Sequence, residues 1–392
     1  MTISRFLIKN QFIGSNFFYY LIFSNIIEKV PIMKENIYSV ITGTGSYLPE
    51  RVIKNEEFLS NTFYDKNGKK IENDNLEIID KFKKITNIEE RRYVCDNHVT
   101  SDIASIAAER ALVSSNTDPE SLDYIIAAHN FGDVKSNNRR TDMVPSIASR
   151  IKSKLKIKNP NTIAYDVIFG CPGWLQGSIQ ADYYIKSGDA KKVMVIGAET
   201  LSRISDKSDR DSMLYSDGAG ATIFEGIQST EPIGVLSHST RTDAVGYADL
   251  LVMEKSYNPE ENNKEIFLKM NGRKLYEYAL NYVPQLVNNC IEKAKLTLNK
   301  INKVLIHQAN GKMDEAILLR LFKLCNLEIN LPCIMPMTIN KFGNNSVASL
   351  PILLDLILKQ KLDEHKISSG DNIVFASVGA GMNINAMTYR AM

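Results

Sequence analysis

A chain of 392 residues with 44% apolar content can form one large domain or two ordinary ones around a substantial core. Its 47 basic and 45 acidic side chains leave a net charge of +2, which gives no overall field for nucleic acid or an anionic membrane, so any basic docking patch has to be local. The five cysteines show neither a disulfide framework nor paired CxxC spacing, so no bound metal is expected and a reducing cytoplasm suits the chain.

The first 32 residues stand apart from the rest. Residues 17–23 are an apolar run preceded by Arg5 and Lys9. That run is too short to cross a bilayer and no small-residue cleavage pattern follows it, so neither a signal peptide nor a membrane span is expected. Residues 1–32 are read as an extension outside the fold, with translation beginning at Met33. Residues 38–45 are a strand running into a glycine turn. A helix starts near Thr100 and continues through Arg110, followed by a strand over 124–129. Residues 163–168 form a short buried strand, and 193–197 is a continuous apolar run, as in a strand covered on both faces. Alternating strands and helices predict an α/β fold with a largely parallel sheet.

After residues 218–221 a similar order begins again. A helix is expected from Met270 to about Leu296, a strand over 304–307, helices over 312–324 and 347–359, and a final strand over 372–377. The chain therefore divides into comparable halves, 33–227 and 228–392. Residues 258–264, acidic and rich in asparagine, read as a solvated loop.

Cys171 sits where the 163–168 strand gives way to an amphipathic helix, with Pro172 suited to the first helical position. A helix N-terminus favours thiolate over thiol, which would make Cys171 a nucleophile. An isolated cysteine is more often a small packed hydrophobe, so the surroundings have to decide. His307 ends an apolar strand, where a polar side chain in an α/β sheet can enter a ligand crevice. Asn344 lies in a turn before a helix, and its amide can donate to a developing oxyanion. The order Cys171, His307, Asn344 also suits a papain-like cysteine peptidase, whose Cys-to-His separation is roughly 130–150 residues. Against that reading, no Cys-Gly-Ser-Cys-Trp pattern surrounds Cys171, and Cys171 is far from the N-terminus.

Several further motifs accompany these residues in order. They are Gly43-Thr44-Gly45-Ser46-Tyr47-Leu48-Pro49-Glu50, Thr86-Asn87-Ile88-Glu89-Glu90-Arg91-Arg92-Tyr93, Asp209-Arg210, Asp217-Gly218-Ala219-Gly220-Ala221, His307-Gln308-Ala309-Asn310 and Gly343-Asn344. Over residues 38–392 the set resembles the thiolase superfamily, and most closely its ketoacyl-acyl-carrier-protein synthase III group. The resemblance implies a thiolase-like, duplicated, five-layered α-β-α-β-α fold and a homodimer. It also implies decarboxylative Claisen condensation on a Cys-His-Asn site, in fatty-acid initiation or a specialised lipid or polyketide route. Acyl carrier protein would be the partner, and coenzyme A or carrier-protein thioesters the substrates, with no bound cofactor. In that scheme Cys171 takes the acyl group, His307 and Asn344 stabilise an enolate, and the backbone N–H groups of Cys171 and Ala380 form a second oxyanion site.

The resemblance also assigns residues around the site. Arg210 matches a position that contacts the nucleotide end of coenzyme A. Lys81 and Ile85 replace a tryptophan and an arginine that hold coenzyme A in other members, which leaves open a donor arriving on a carrier protein. Lys312, Arg320 and Lys323 offer a basic helix face for carrier docking. Val144, before Pro145, matches the side chain that one subunit places at the end of its partner's acyl pocket, where valine leaves room for medium or bulky acyl groups. The long polar segment 130–143 is expected to reshape the entrance. A carrier-dependent acyltransferase of the same fold is the alternative. Such an enzyme could dispense with the enolate-stabilising pair, and both members are present here.

Overall fold

The computed structural model describes residues 35–392 apart from 262–263, 329–330 and 363, so the expectation for residues 1–32 lies outside the described residues. The first half runs β1 (Asn36–Tyr47), β2 (Arg51–Lys54), α1 (Asn75–Thr86), β3 (Glu90–Tyr93), α2 (Thr100–Ser115), β4 (Tyr124–Ala128), β5 (Asp133–Lys135), β6 (Asn138–Asp142), α3 (Ile147–Lys154), β7 (Ile163–Val167), α4 (Gly173–Ser187), β8 (Lys192–Thr200) and β9 (Asp217–Ser229). The second runs β10 (Gly234–Thr242), β11 (Leu251–Glu254), β12 (Phe267–Met270), α5 (Gly272–Lys293), β13 (Lys303–Ile306), α6 (Gly311–Leu324), α7 (Ser349–Leu358), β14 (Asn372–Gly379) and β15 (Asn383–Arg390), with single helical turns between them.

Two sheets carry the fold. One has the order β1-β9-β8-β4-β7 and the other β10-β15-β14-β13. Helices α2 and α3 cover the outer face of the first sheet, α5 and α6 cover the second, and α4 and α7 lie between the two. Residues 349–357 of α7 are buried without interruption, as a helix enclosed on all sides requires. Leu350, Leu353 and Leu354 of α7 meet Leu305 and Phe375 of the second sheet in the middle core. Trp174 of α4 meets Phe375 edge-on at 5.8 Å between ring centroids. The expected five α-β-α-β-α layers are therefore present.

The sheets are mixed, which corrects the expectation of a largely parallel arrangement. β4 pairs in parallel with β7 and β8, and β13 with β14, whereas β9 runs antiparallel to β1 and β8, and β15 to β10 and β14. Buried apolar runs suggested parallel strands, but the three-residue link from β14 to β15 allows only a reversal. The second strand of that hairpin was hidden in the sequence because its two enclosed faces carry Asn383 and Asn385 on one side and Thr388 on the other. β1 also differs from expectation, continuing through its glycines to Tyr47 with a register shift against β9 between Ile41 and Gly43. A Cβ at Gly45 would stand 2.2 Å from the Ala107 carbonyl oxygen, so glycine here lets α2 lie directly on the strand. β7 is an edge strand, with Ile163 48% exposed, and the Ile168 that follows it is 58% exposed.

Arg91 on β3 is fully enclosed. Its guanidinium donates to the Met213 carbonyl at 2.8 and 3.1 Å, the Ile53 carbonyl at 3.1 Å and Asn55 Oδ1 at 2.6 Å, and it lies over the Phe58 ring. Burial pushes its pKa down to about 10, so it remains charged at neutral pH. Met213 leads into Leu214 and Tyr215, which wall the main cavity, so Arg91 fixes that wall from behind. Arg91→Ala leaves three buried acceptors without a donor. Chemical denaturation should show a loss of about 3 kcal/mol, and a loss under about 0.5 kcal/mol would contradict this role.

Candidate active site

A cavity of about 1180 Å³ opens between the two halves, and Cys171, His307, Asn344 and Ala380 all line it. Each comes from a different segment. Cys171 follows β7, His307 follows β13, Asn344 precedes α7, and Ala380 follows β14. The strand ends bring together residues far apart in the chain.

Cys171 stands in a tight junction. Gly170 has φ +63°, and a Cβ there would come within 2.7 Å of Ala380 N, while one at Gly379 would come within 2.5 Å of Cys171 N. These glycines let the two loops approach until the backbone amides of Cys171 and Ala380 are neighbours. Pro172 is the N-cap rather than the first helical residue, and α4 begins at Gly173. The half-buried thiol receives a hydrogen bond from Ser346 Oγ at 3.4 Å. Burial pushes this thiol up to about 11, opposed by the Ser346 hydroxyl and reinforced by the Glu199 charge. The expected resting thiolate is thus corrected, because desolvation outweighs the helix N-terminus. The resting group is a thiol.

His307 leaves β13 with its backbone N–H bonded to the Ala376 carbonyl at 2.9 Å. Burial alone lowers its pKa to about 3, so the ring is neutral at physiological pH. Nδ1 lies 2.6 Å from Ser349 Oγ, which itself accepts from the Gln308 backbone N–H at 3.4 Å. With that oxygen accepting from the backbone, its own proton points to Nδ1, and the ring proton is assigned to Nε2. His307 is then a neutral hydrogen-bond donor.

Asn344 is held at both backbone ends. Its N–H donates to the Leu214 carbonyl and its carbonyl accepts from Ser216 N, each at 2.9 Å. Its side-chain Oδ1 accepts from Ser346 N at 2.9 Å, which leaves the Nδ2 protons as the outward-facing donors. Ser346 makes that bond from a left-handed conformation, φ +50°, uncommon for a residue with a Cβ. One strained serine therefore touches both Cys171 and Asn344.

The sequence matches the family model described as 3-oxoacyl-[acyl-carrier-protein (ACP)] synthase III over residues 165–244, and that family's C-terminal model over 291–391. It is also 31% identical over 351 residues to β-ketoacyl-[acyl-carrier-protein] synthase III of Staphylococcus aureus strain JH1, covering 89% of this chain and 98% of that one. The chain belongs to the β-ketoacyl-[acyl-carrier-protein] synthase III family. Solved synthase III structures agree with this. The Thermus thermophilus protein has a TM-score of 0.73 at 28% identity, covering 90% of this chain and 99% of that one. The Aquifex aeolicus VF5 protein has a TM-score of 0.70 at 28% identity with the same coverage.

The other residues that the synthase III resemblance singled out are distributed more widely. Arg210, Lys81 and Ile85 line the cavity. The neighbouring Asp209 pairs with Lys269 at 3.1 Å rather than with Arg210. Lys312 is exposed beside Glu315 at 3.2 Å and lies off the cavity. Arg320 is exposed, and its Nη1 donates from α6 to the Leu280 carbonyl and Asn281 Oδ1 of α5. Val144 is 87% exposed and faces a separate polar concavity with Arg150 and Asp133, away from this chain's own Cys171. Segment 130–143 forms the β5–β6 hairpin, of which Asn130 and the adjoining Phe131 reach the cavity. Sequence reasoning missed Ser346, Ser349, Asn130 and Glu199. For Glu199 a signal existed, a lone acid at the end of an otherwise apolar strand.

Proposed function

We propose that this synthase III family member transfers an acyl group from a thioester to Cys171 and condenses it with a malonyl thioester on acyl carrier protein. The observation that carries this reading is the meeting of a thiol, a neutral histidine and an oriented asparagine amide in one largely apolar cavity. In the first half-reaction Cys171 Sγ attacks the acyl carbonyl, the carrier thiolate leaves, and the thiol proton passes to it. The N–H groups of Cys171 and Ala380 would receive the tetrahedral oxyanion.

In the second half-reaction carbon dioxide departs from the malonyl group and its bonding electrons form an enolate. The enolate oxygen accepts hydrogen bonds from His307 Nε2 and Asn344 Nδ2. The enolate carbon attacks the acyl-Cys171 carbonyl, the C–S bond breaks, and Cys171 regains a proton. The product is a 3-oxoacyl thioester, serving fatty-acid initiation or a specialised lipid or polyketide route.

A cytoplasmic homodimer, with halves at 33–227 and 228–392, belongs to the same proposal. The unpaired edge of β7 and its exposed Ile163 support a second subunit there. The exposed Val144 would then reach the partner's acyl pocket. Lys312 and Arg320 are the proposed docking side chains for the carrier, and Arg210 the contact for a coenzyme A donor. No described helix is long and apolar enough to cross a membrane.

The test crosses acetyl, branched and medium-chain donors, each on coenzyme A and on carrier protein, with malonyl-carrier protein. A 3-oxoacyl product with stoichiometric carbon dioxide is expected from at least one medium or branched donor. Acyl exchange between carriers without carbon dioxide would favour the acyltransferase, and activity with acetyl alone would reject the roomy pocket.

A further inference from the structure

Glu199, the penultimate residue of β8, is fully enclosed and takes no part in the steps above. Its Oε2 accepts from Asn130 Nδ2 at 2.8 Å and from Asn130 N at 3.1 Å. Asn130 Nδ2 also donates to Ser346 Oγ at 3.3 Å, and Ser346 Oγ donates to Cys171 Sγ at 3.4 Å. Two side chains, Asn130 and Ser346, thus link a buried carboxyl to the nucleophile. The other carboxylate oxygen, Oε1, has no hydrogen-bond donor among the described residues.

We infer that Glu199 is a positioning residue that, through Asn130 and Ser346, holds the Cys171 thiol in place and whose charge sets how readily that thiol ionises. This rests on the reading of Cys171 as the acyl-accepting nucleophile. The chain of bonds cannot carry a proton from Sγ to the carboxyl, because the Asn130 amide donates towards both ends. What it transmits is position and charge. A carboxylate facing the thiol disfavours a second negative charge nearby, and in an enclosed site that repulsion is poorly screened.

The groups around Glu199 sharpen this. His129 Nε2 lies 2.9 Å from Asp166, and its Nδ1 accepts from Gly132 N at 3.0 Å, so the ring is committed to that carboxylate. Asp217, on neighbouring β9, has both oxygens occupied by Ser202 and Val94, with Arg203 acting on it favourably. Glu199 alone in this set keeps a bare oxygen. Burial, opposed by His129 and Asn130, pushes Glu199 up to about 7, so its charge changes across the physiological range. The charged carboxylate would thus blunt the rise of Cys171 reactivity with pH, the thiol ionising less readily above about 7 than it would beside a protonated Glu199.

The test is the pH dependence of iodoacetamide labelling at Cys171, resolved by peptide mass so that exposed Cys95 and Cys333 do not contribute. Glu199→Gln keeps an acceptor for Asn130 and removes the charge. Its labelling midpoint should fall by about one pH unit, while Glu199→Asp, which keeps a charge, should retain the wild-type midpoint. Should Glu199→Gln fail to fold, the wild-type curve itself decides. Its logarithmic slope should break below one as pH passes through about 7 and recover above. A straight wild-type line, an unmoved midpoint in Glu199→Gln, or equal shifts in both variants would overturn the inference. Absence of any label on Cys171 would instead defeat the nucleophile reading on which it stands.

Discussion

Cys171→Ala is expected to abolish condensation, lowering product formation at least about 10³-fold, while leaving decarboxylation of the malonyl thioester within about tenfold of wild type. The two outcomes separate because the proposed mechanism assigns them to different groups. Sγ is the atom that would carry the acyl chain, and alanine has nothing to replace it. In the proposed mechanism enolate formation draws on His307 and Asn344, whose orientation comes from Ser349 and from Ser346 N, and none of these contacts passes through Cys171. Only the Ser346 Oγ to Sγ bond is lost, and that hydroxyl still accepts from Asn130. Carbon dioxide release measured against 3-oxoacyl product checks this. Full condensation by Cys171→Ala would remove the covalent mechanism, and loss of decarboxylation alongside condensation would mean that the thiol acts in both halves.

The second large effect is the converse. His307→Ala should reduce condensation and decarboxylation together by about 10²–10³-fold, the worth of one oxyanion donor, with acyl transfer to Cys171 retained. Asn344→Asp is the sharper partner variant, since it keeps the acceptor that Ser346 N requires and removes the Nδ2 donor. It should give a loss of the same order. The protonation state of His307 adds a pH signature. With its pKa lowered to about 3, His307 keeps the same charge from pH 8 to pH 5. Decarboxylation by wild type should therefore show no inflection near 6.5, where an ordinary imidazole titrates. The same depression makes the fold acid-sensitive. Below pH 6.5 the unfolded chain takes up a proton at His307 that the folded chain refuses until about 3, so stability falls with pH across that window. A decarboxylation rate that halves near pH 6.5 would contradict the buried, neutral ring.

Much of this was visible in the chain. The strand–Cys171–helix junction, the strand ending at His307 and the turn at Asn344 each carry a local signature, because strand ends and turns punctuate sequence strongly. Duplication was legible as a recurring order of elements. Sheet direction was less so, since a buried strand reads alike whether its neighbour runs with it or against it, and β15 hides behind enclosed polar side chains. The electrical state of Cys171 was also misread. A helix N-terminus is a local feature that sequence reveals, whereas the burial that outweighs it comes from four segments meeting in space. The contact of Arg320 was hidden for a related reason, since the α5 groups that its Nη1 meets lie some forty residues earlier in the chain. Ser346, Ser349 and Asn130 are ordinary turn or cap residues by sequence, and only the folded contacts give them work.

The central claim is that one thiol holds the acyl group while a separate pair makes the carbon nucleophile. A single-turnover experiment addresses it most directly. The enzyme is mixed with an isotopically labelled acyl thioester, the peptide containing Cys171 is weighed, and malonyl-carrier protein is then added. The account predicts the label on Cys171 first and its quantitative passage into a 3-oxoacyl-carrier product with one carbon dioxide released per label. Label that never resides on Cys171, or that leaves it without carbon dioxide release, would contradict the account.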